Sequence, residues 1–114
     1  MVRYVFDCET NGLLHELDTV HSLVLRDIDD GDVISCSDHD GYESIANGLY
    51  MLSKADVLVG HNVINFDCRA LKKVYKSFKL KKNCKIYDTL IVSRVLWPEL
   101  EPVDHQKFSH IPRK

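Results

Sequence analysis

The chain has 114 residues, 45% hydrophobic and 28% charged, the balance of one small globular domain with a single modest core. Its net charge of −2 excludes a protein that coats nucleic acid by bulk electrostatics, so any such site must be local. No apolar run reaches the roughly 18 residues of a membrane span, and the first residues lack the basic-then-apolar order of a secretion signal; both point to a cytoplasmic protein with no membrane partner.

Val2 to Cys8 is short and β-rich and runs into the turn signal Thr10-Asn11-Gly12. Thr19 to Ile28 and Val33 to Ser37 read as two further strands, joined as a hairpin around Gly31. Asp40 and Glu43 form a capping arrangement ahead of a helix with Ile45, Leu49 and Leu52 on one face. Val57-Leu58-Val59 has the continuous apolar character of a buried parallel strand, ended by Gly60. The spacing of Ala70, Leu71, Val74, Tyr75 and Phe78 predicts a helix from about Phe66 to Phe78. Lys85 to Tyr87 is another short strand. Asp88 then caps a helix carrying Ile91, Val92, Val95 and Leu96, which Pro98 stops.

Three strands followed by alternating helices and strands predict an α/β fold: an antiparallel meander continued by parallel strands in a ribonuclease H-like mixed sheet. Residues 1–97 form this core, and 98–114 a loosely ordered tail. The cysteines at 8, 36, 68 and 84 are widely spaced with no CxxC pair, and read as buried thiols in a reducing compartment. Charge is segregated. Residues 27–43 hold seven acids and no lysine or arginine, while residues 69–85 hold eight basic residues and no acid. Two solvated faces account for this, and so does a lysine-bearing helix that meets a phosphate backbone.

Asp7 and Glu9 sit two apart near a strand end, on the same sheet face with backbones roughly 6.6 Å apart. The apolar neighbours Val5 and Phe6 indicate a central, buried strand. Two carboxylates so placed repel each other unless a cation lies between them, and hard Mg²⁺ or Mn²⁺ suits oxygen ligands of this kind. A lone D-x-E is a weak signal, since surface acids beyond a strand share the pattern. Gly60-His61-Asn62 lies at the carboxyl end of the parallel strand, where mixed sheets place ligands. Asp67 follows in the first turn of the next helix, on the inward side with Leu71 and Val74. Favourable interaction with the helix dipole is an alternative reason for an aspartate there.

Together these stretches resemble the DEDD 3′–5′ exonuclease superfamily. FDCETNGLL at residues 6–14 is similar to its first motif, D-x-E-T-x-G-L, and GHNVINFD at 60–67 to its second. CKIYDTLIVSRVL at 84–96 is similar to the strand and helix that follow, and the nearest likeness is to the N-terminal proofreading domain of family A DNA polymerases from podovirus-type phages. The resemblance implies a two-metal-ion site, with Asp7 bridging both ions, Glu9 on the ion carrying the attacking water and Asp67 on the second ion. It implies that Thr10, Asn11 and Leu13 line the terminal nucleotide of a single-stranded DNA 3′ end, with Asn62 and His61 touching the strand. Host cytoplasm would be the location of a phage-encoded protein. The D-T at Asp88 opens the next helix in the family pattern, which makes Asp88 a cap and not a ligand.

The family's third motif, a helix with Y-x-x-x-D or H-x-x-x-x-D, is missing. After Trp97 the only acids are Glu99, Glu101 and Asp104, and Asp104-His105 and His110 are poor substitutes for it. The expectation is therefore a C-terminally truncated exonuclease domain with an incomplete two-ion site. Such a chain is weakly active, dependent on a partner, or an inactive binding module or structural subunit of a split phage polymerase. The helices missing from the pattern would leave one sheet face uncovered, for self-association or for a polymerase polypeptide.

Overall fold

The computed structural model describes residues 1–96. The predicted tail, Pro98, and the candidate substitutes Asp104, His105 and His110 lie outside these residues. Five strands, β1 (Arg3–Thr10), β2 (Val20–Asp27), β3 (Val33–Cys36), β4 (Val57–Gly60) and β5 (Lys85–Asp88), form one sheet in the order β3-β2-β1-β4-β5. β1 pairs antiparallel with β2 and parallel with β4, and β4 and β5 are parallel. This is the predicted mixed sheet, with β1 at its centre.

Period-two alternation sorts the faces of β1. Tyr4, Phe6 and Cys8 are buried in the core, whereas Val5, Asp7 and Glu9 turn to the other face. Helices α1 (Ile45–Ser53) and α2 (Cys68–Val74) both cover the core face: Ile45, Leu49, Leu52 and Leu71 join Phe6, Leu23, Leu25 and Leu58 in one cluster. Each fully buried aliphatic side chain there contributes about 1.5–3 kcal/mol. The opposite face leaves Val5, Val24, Val33 and Tyr87 exposed. The buried strand expected around Asp7 is thus central but covered on one side only, because among the described residues both well-packed helices lie on the same side.

Three local expectations are revised. Ser44, not Asp40, caps α1: its extended backbone lets its Oγ accept the amide of Asn47 at 3.1 Å. Glu43 braces the same turn by accepting from the Asn47 side chain at 2.9 Å. The second helix stops at Val74, four residues short of Phe78, because Tyr75 leaves helical geometry at φ −116°, ψ 86°. Phe78 reaches the core from the turn beyond it, held by its amide to the Tyr75 carbonyl at 2.9 Å. Helix α3 (Thr89–Leu96) forms where expected, but its apolar residues Ile91, Val92, Val95 and Leu96 are all exposed.

Candidate nucleic-acid site

The link from β4 to α2 is not a simple loop. Asn62 adopts left-handed geometry (φ 60°, ψ 29°), and Val63–Asp67 then form one π-helical turn that runs directly into α2. Asparagine tolerates this conformation better than other side-chain-bearing residues. Gly60 permits the close approach, since a Cβ there would lie 2.2 Å from Val63 Cγ1 and 2.9 Å from the Phe6 carbonyl oxygen. Asp67 ends the π turn and lies inward, against the end of β1.

Asp67 is 2% exposed, and its Oδ2 accepts the Cys8 amide at 2.9 Å. Burial raises its pKa to about 6, with the Asp7 charge adding to the rise and the Cys8 hydrogen bond opposing it. Asp7 is half-buried on the open sheet face, and Glu9 is exposed beside the irregularity in register between Glu9 and Thr10. Such an irregularity re-aims side chains at a strand end.

A cavity of about 370 Å³ opens here, lined by Cys8, Glu9, Thr10, Gly12, Leu13, Asn62, Phe66 and Asp67. The structure therefore brings Glu9, Thr10, Leu13, Asn62 and Asp67 to one concavity. Leu13 is 62% exposed at its rim. Asp7 lies next to the cavity and is not among its walls. Asn11 is turned away: its side chain holds the Asp18 carboxylate at 2.6 Å and the Asp18 and Thr19 amides at 3.1 Å, closing the loop between β1 and β2. The Nδ1 of His61 pairs with Thr89 Oγ1 at 3.0 Å outside the cavity. Among the described residues no three histidine, cysteine, aspartate or glutamate side chains converge as a metal site.

Cys8, Gly12 and Phe66 also line the cavity, though none was among the candidate site residues. Phe66 belongs to the same motif as Asp67 and was the one legible from it. Cys8 presents its amide to Asp67, a role no side-chain pattern reveals, while burial pushes its thiol far upward and keeps it protonated. All four cysteines are free.

Asp88 has a second task besides capping. Its Oδ1 accepts the Leu90 amide at 3.0 Å, opening α3, and the Asn62 amide at 2.8 Å; its Oδ2 accepts the Ile64 amide at 3.0 Å. One carboxylate thus ties the end of β5 to the strained entry of the π turn. Burial works to raise its pKa, but the backbone donors outweigh this and hold it below the usual carboxylate range.

No protein-family model matches the sequence, and no curated protein does. Among solved structures, the chain is similar to the family B DNA polymerase of the hyperthermophilic archaeon Pyrobaculum calidifontis, with a TM-score of 0.54 and 18% identity. The match covers 75% of this chain and 13% of the polymerase, so the chain spans a small fraction of the protein it matches. At that identity the likeness is one of fold. The strand order and this likeness together establish a mixed α/β, ribonuclease H-like fold, similar to a portion of a DNA polymerase.

Proposed function

We propose that this chain is an exonuclease-like, polymerase-associated module that holds a single-stranded DNA 3′ end and by itself hydrolyses it slowly or not at all. The observation that carries this reading is the cavity between the end of β1 and the π turn: it gathers Glu9, Thr10, Leu13, Asn62 and Asp67, yet no third ligating group converges with the carboxylates among the described residues. A concave site at an irregular strand end suits an unstacked base, with Leu13 as a wedge. Its origin would be the proofreading domain of a family A phage polymerase, given its first two motifs.

A second reading, a working metal-dependent 3′–5′ exonuclease, is favoured by one feature. Asp67 is buried near the Asp7 charge and held at about 6, a strain that a divalent cation would relieve. Asp7, Glu9 and Asp67 are the residues that would hold Mg²⁺ or Mn²⁺, hard ions suited to carboxylate oxygen. Such an ion supplies an activated water and stabilises a departing 3′ oxygen. Hydrolysis here requires ligands beyond those the described residues bring together. A polymerase polypeptide or a second copy seated on the open face with Val5, Val24, Val33 and Tyr87 would be a source of them.

Incubating the chain in excess over a 5′-labelled single strand with Mn²⁺ decides between the two. The module reading expects a bound strand with at most trace shortening. Processive shortening that Asp7→Ala and Asp67→Ala abolish would overturn it in favour of the enzyme. A strand that neither binds nor shortens would sink both.

A further inference from the structure

A second cavity lies at the far end of α2. It measures about 360 Å³ and is walled by Tyr50 and Ser53 of α1 and by Tyr75, Ser77, Phe78 and Lys79 of the turn after α2. Asp67 precedes the first residue of α2 and Tyr75 follows its last, so the helix's 7 residues set the two cavities about 10 Å or more apart.

The groove is built from fixed parts. Lys72 donates to the carbonyls of Lys76 at 2.8 Å and Phe78 at 3.0 Å, so the turn that forms one wall is stapled to the helix before it. The other wall is α1, anchored in the core by Leu49 and Leu52. Tyr50 is 61% exposed, a large aromatic ring left at the surface on a helix whose other face is fully packed. Lys54 places its ammonium over this ring, 5.4 Å from the centroid.

Charge selects the occupant. The wall after α2 belongs to the segment 69–85, with eight basic residues and no acid in a chain whose net charge is −2. Lys81 is engaged by Asp56, and Lys73 by the Leu14 carbonyl, but Lys79 lines the groove and Lys54 lies beside it over the Tyr50 ring. Asp38 lies near enough to Tyr75 to help raise its phenol pKa, after burial, and so marks the side that an anion avoids. Aromatic rings in a cavity with one lysine in its wall and another against a lining tyrosine, with serines beside them, fit a strand of flat bases joined by phosphates; an acidic peptide would use the lysines but not the rings.

We infer that the groove between α1 and the Tyr75–Lys79 turn is a second contact for single-stranded nucleic acid, with Tyr50 and Tyr75 taking bases and Lys54 and Lys79 taking phosphates. This shares a ligand class with the function proposed above but uses no residue of the carboxylate cavity.

The test is fluorescence anisotropy with a labelled oligothymidylate of about 12 nucleotides, in EDTA, across a salt series. Tyr50→Ala should weaken binding about five- to a hundred-fold, the range for losing one stacked base. Lys79→Glu should weaken it further at low salt and flatten the salt dependence by about one phosphate contact. Circular dichroism melts of both surface variants check that the fold is retained. Lys79→Gln serves as a milder second variant should the charge reversal unfold the chain. Polyglutamate competing as well as an oligonucleotide of equal charge, with Tyr50→Ala unchanged, would overturn the inference. So would affinity that Asp67→Asn and Leu13→Ala reduce while the groove variants do not, or no binding by the wild-type chain.

Discussion

Asp67 and Asp88 make an instructive pair. Each is almost fully hidden, 2% and 3% exposed, and each immediately precedes an α-helix, Asp67 at the end of the π turn and Asp88 at the end of β5. Asp67 sits deep among protein atoms with the Cys8 amide as a donor from 59 residues away, and burial holds it up at about 6. Asp88 lies nearer the surface and collects the amides of Asn62, Ile64 and Leu90, which hold it below the usual carboxylate range. One carboxylate is held charged by its donors; the other is pushed toward its protonated form by burial. The contrast shows what separates the two acids: how deeply each is desolvated and how many amide donors reach it.

The largest effect should come from breaking the satisfied member. Asp88→Ala orphans three amides at once and should cost about 3–4 kcal/mol in urea or thermal unfolding, with Asp88→Asn losing less. A cost under about 1 kcal/mol would mean that water replaces the clasp and that the comparison is misdrawn. Gly60→Ala attacks the floor common to both regions, since its methyl meets Val63 and the Phe6 carbonyl. About 2–3 kcal/mol is expected, typical of overpacking, and the same melts measure it.

The smallest effect has the opposite sign. Asp67→Asn removes a buried charge and keeps an oxygen for the Cys8 amide, so stability at pH 7 should rise by about 1–2 kcal/mol. The pH profile separates the pair. The raised pKa of Asp67 means the folded state keeps a proton that the unfolded chain has lost, so its contribution falls as pH rises from about 4 through about 6. The lowered pKa of Asp88 contributes stability above about 4 that is lost as pH falls through its folded value. Melts of Asp67→Asn from pH 4 to 7 should lose the decline that the wild type shows. An unchanged profile would place the titration elsewhere.

Much of this was legible in the chain itself. Alternation in Arg3–Thr10, the apolar run at Val57–Val59 and the helical spacing around Leu49 and Leu71 suffice for the element order, because local periodicity reports which side of an element meets the core. The turn signal at Gly31 suffices for the hairpin, its φ of 80° being one that glycine adopts without cost. Where local patterns compete, the sequence misleads: Asp40 and Ser44 are both good caps, and only packing of Ile45 against the sheet selects Ser44. The end of α2 at Val74 is likewise not read from spacing alone, and Phe78 joins the core from beyond the helix.

The site divides in the same way. The types of residue near it, carboxylates on alternate positions of a strand and an aspartate at a helix start, are properties of the sequence. That Glu9 and Asp67 share a cavity while Asn11 and His61 turn to Asp18 and Thr89 is a tertiary outcome, since competing hydrogen-bond partners become near neighbours only when the loops close. The dual role of Asp88 is of the same kind: a cap is local, but the amides of Asn62 and Ile64 reach it from 26 and 24 residues away. The sequence by itself determined the order of elements and the chemistry available at the ends of β1 and β4, because both depend on near neighbours. Which of those groups face a ligand and which serve the fold was decided only by the tertiary structure, because donors distant in sequence set the charge each buried acid can hold.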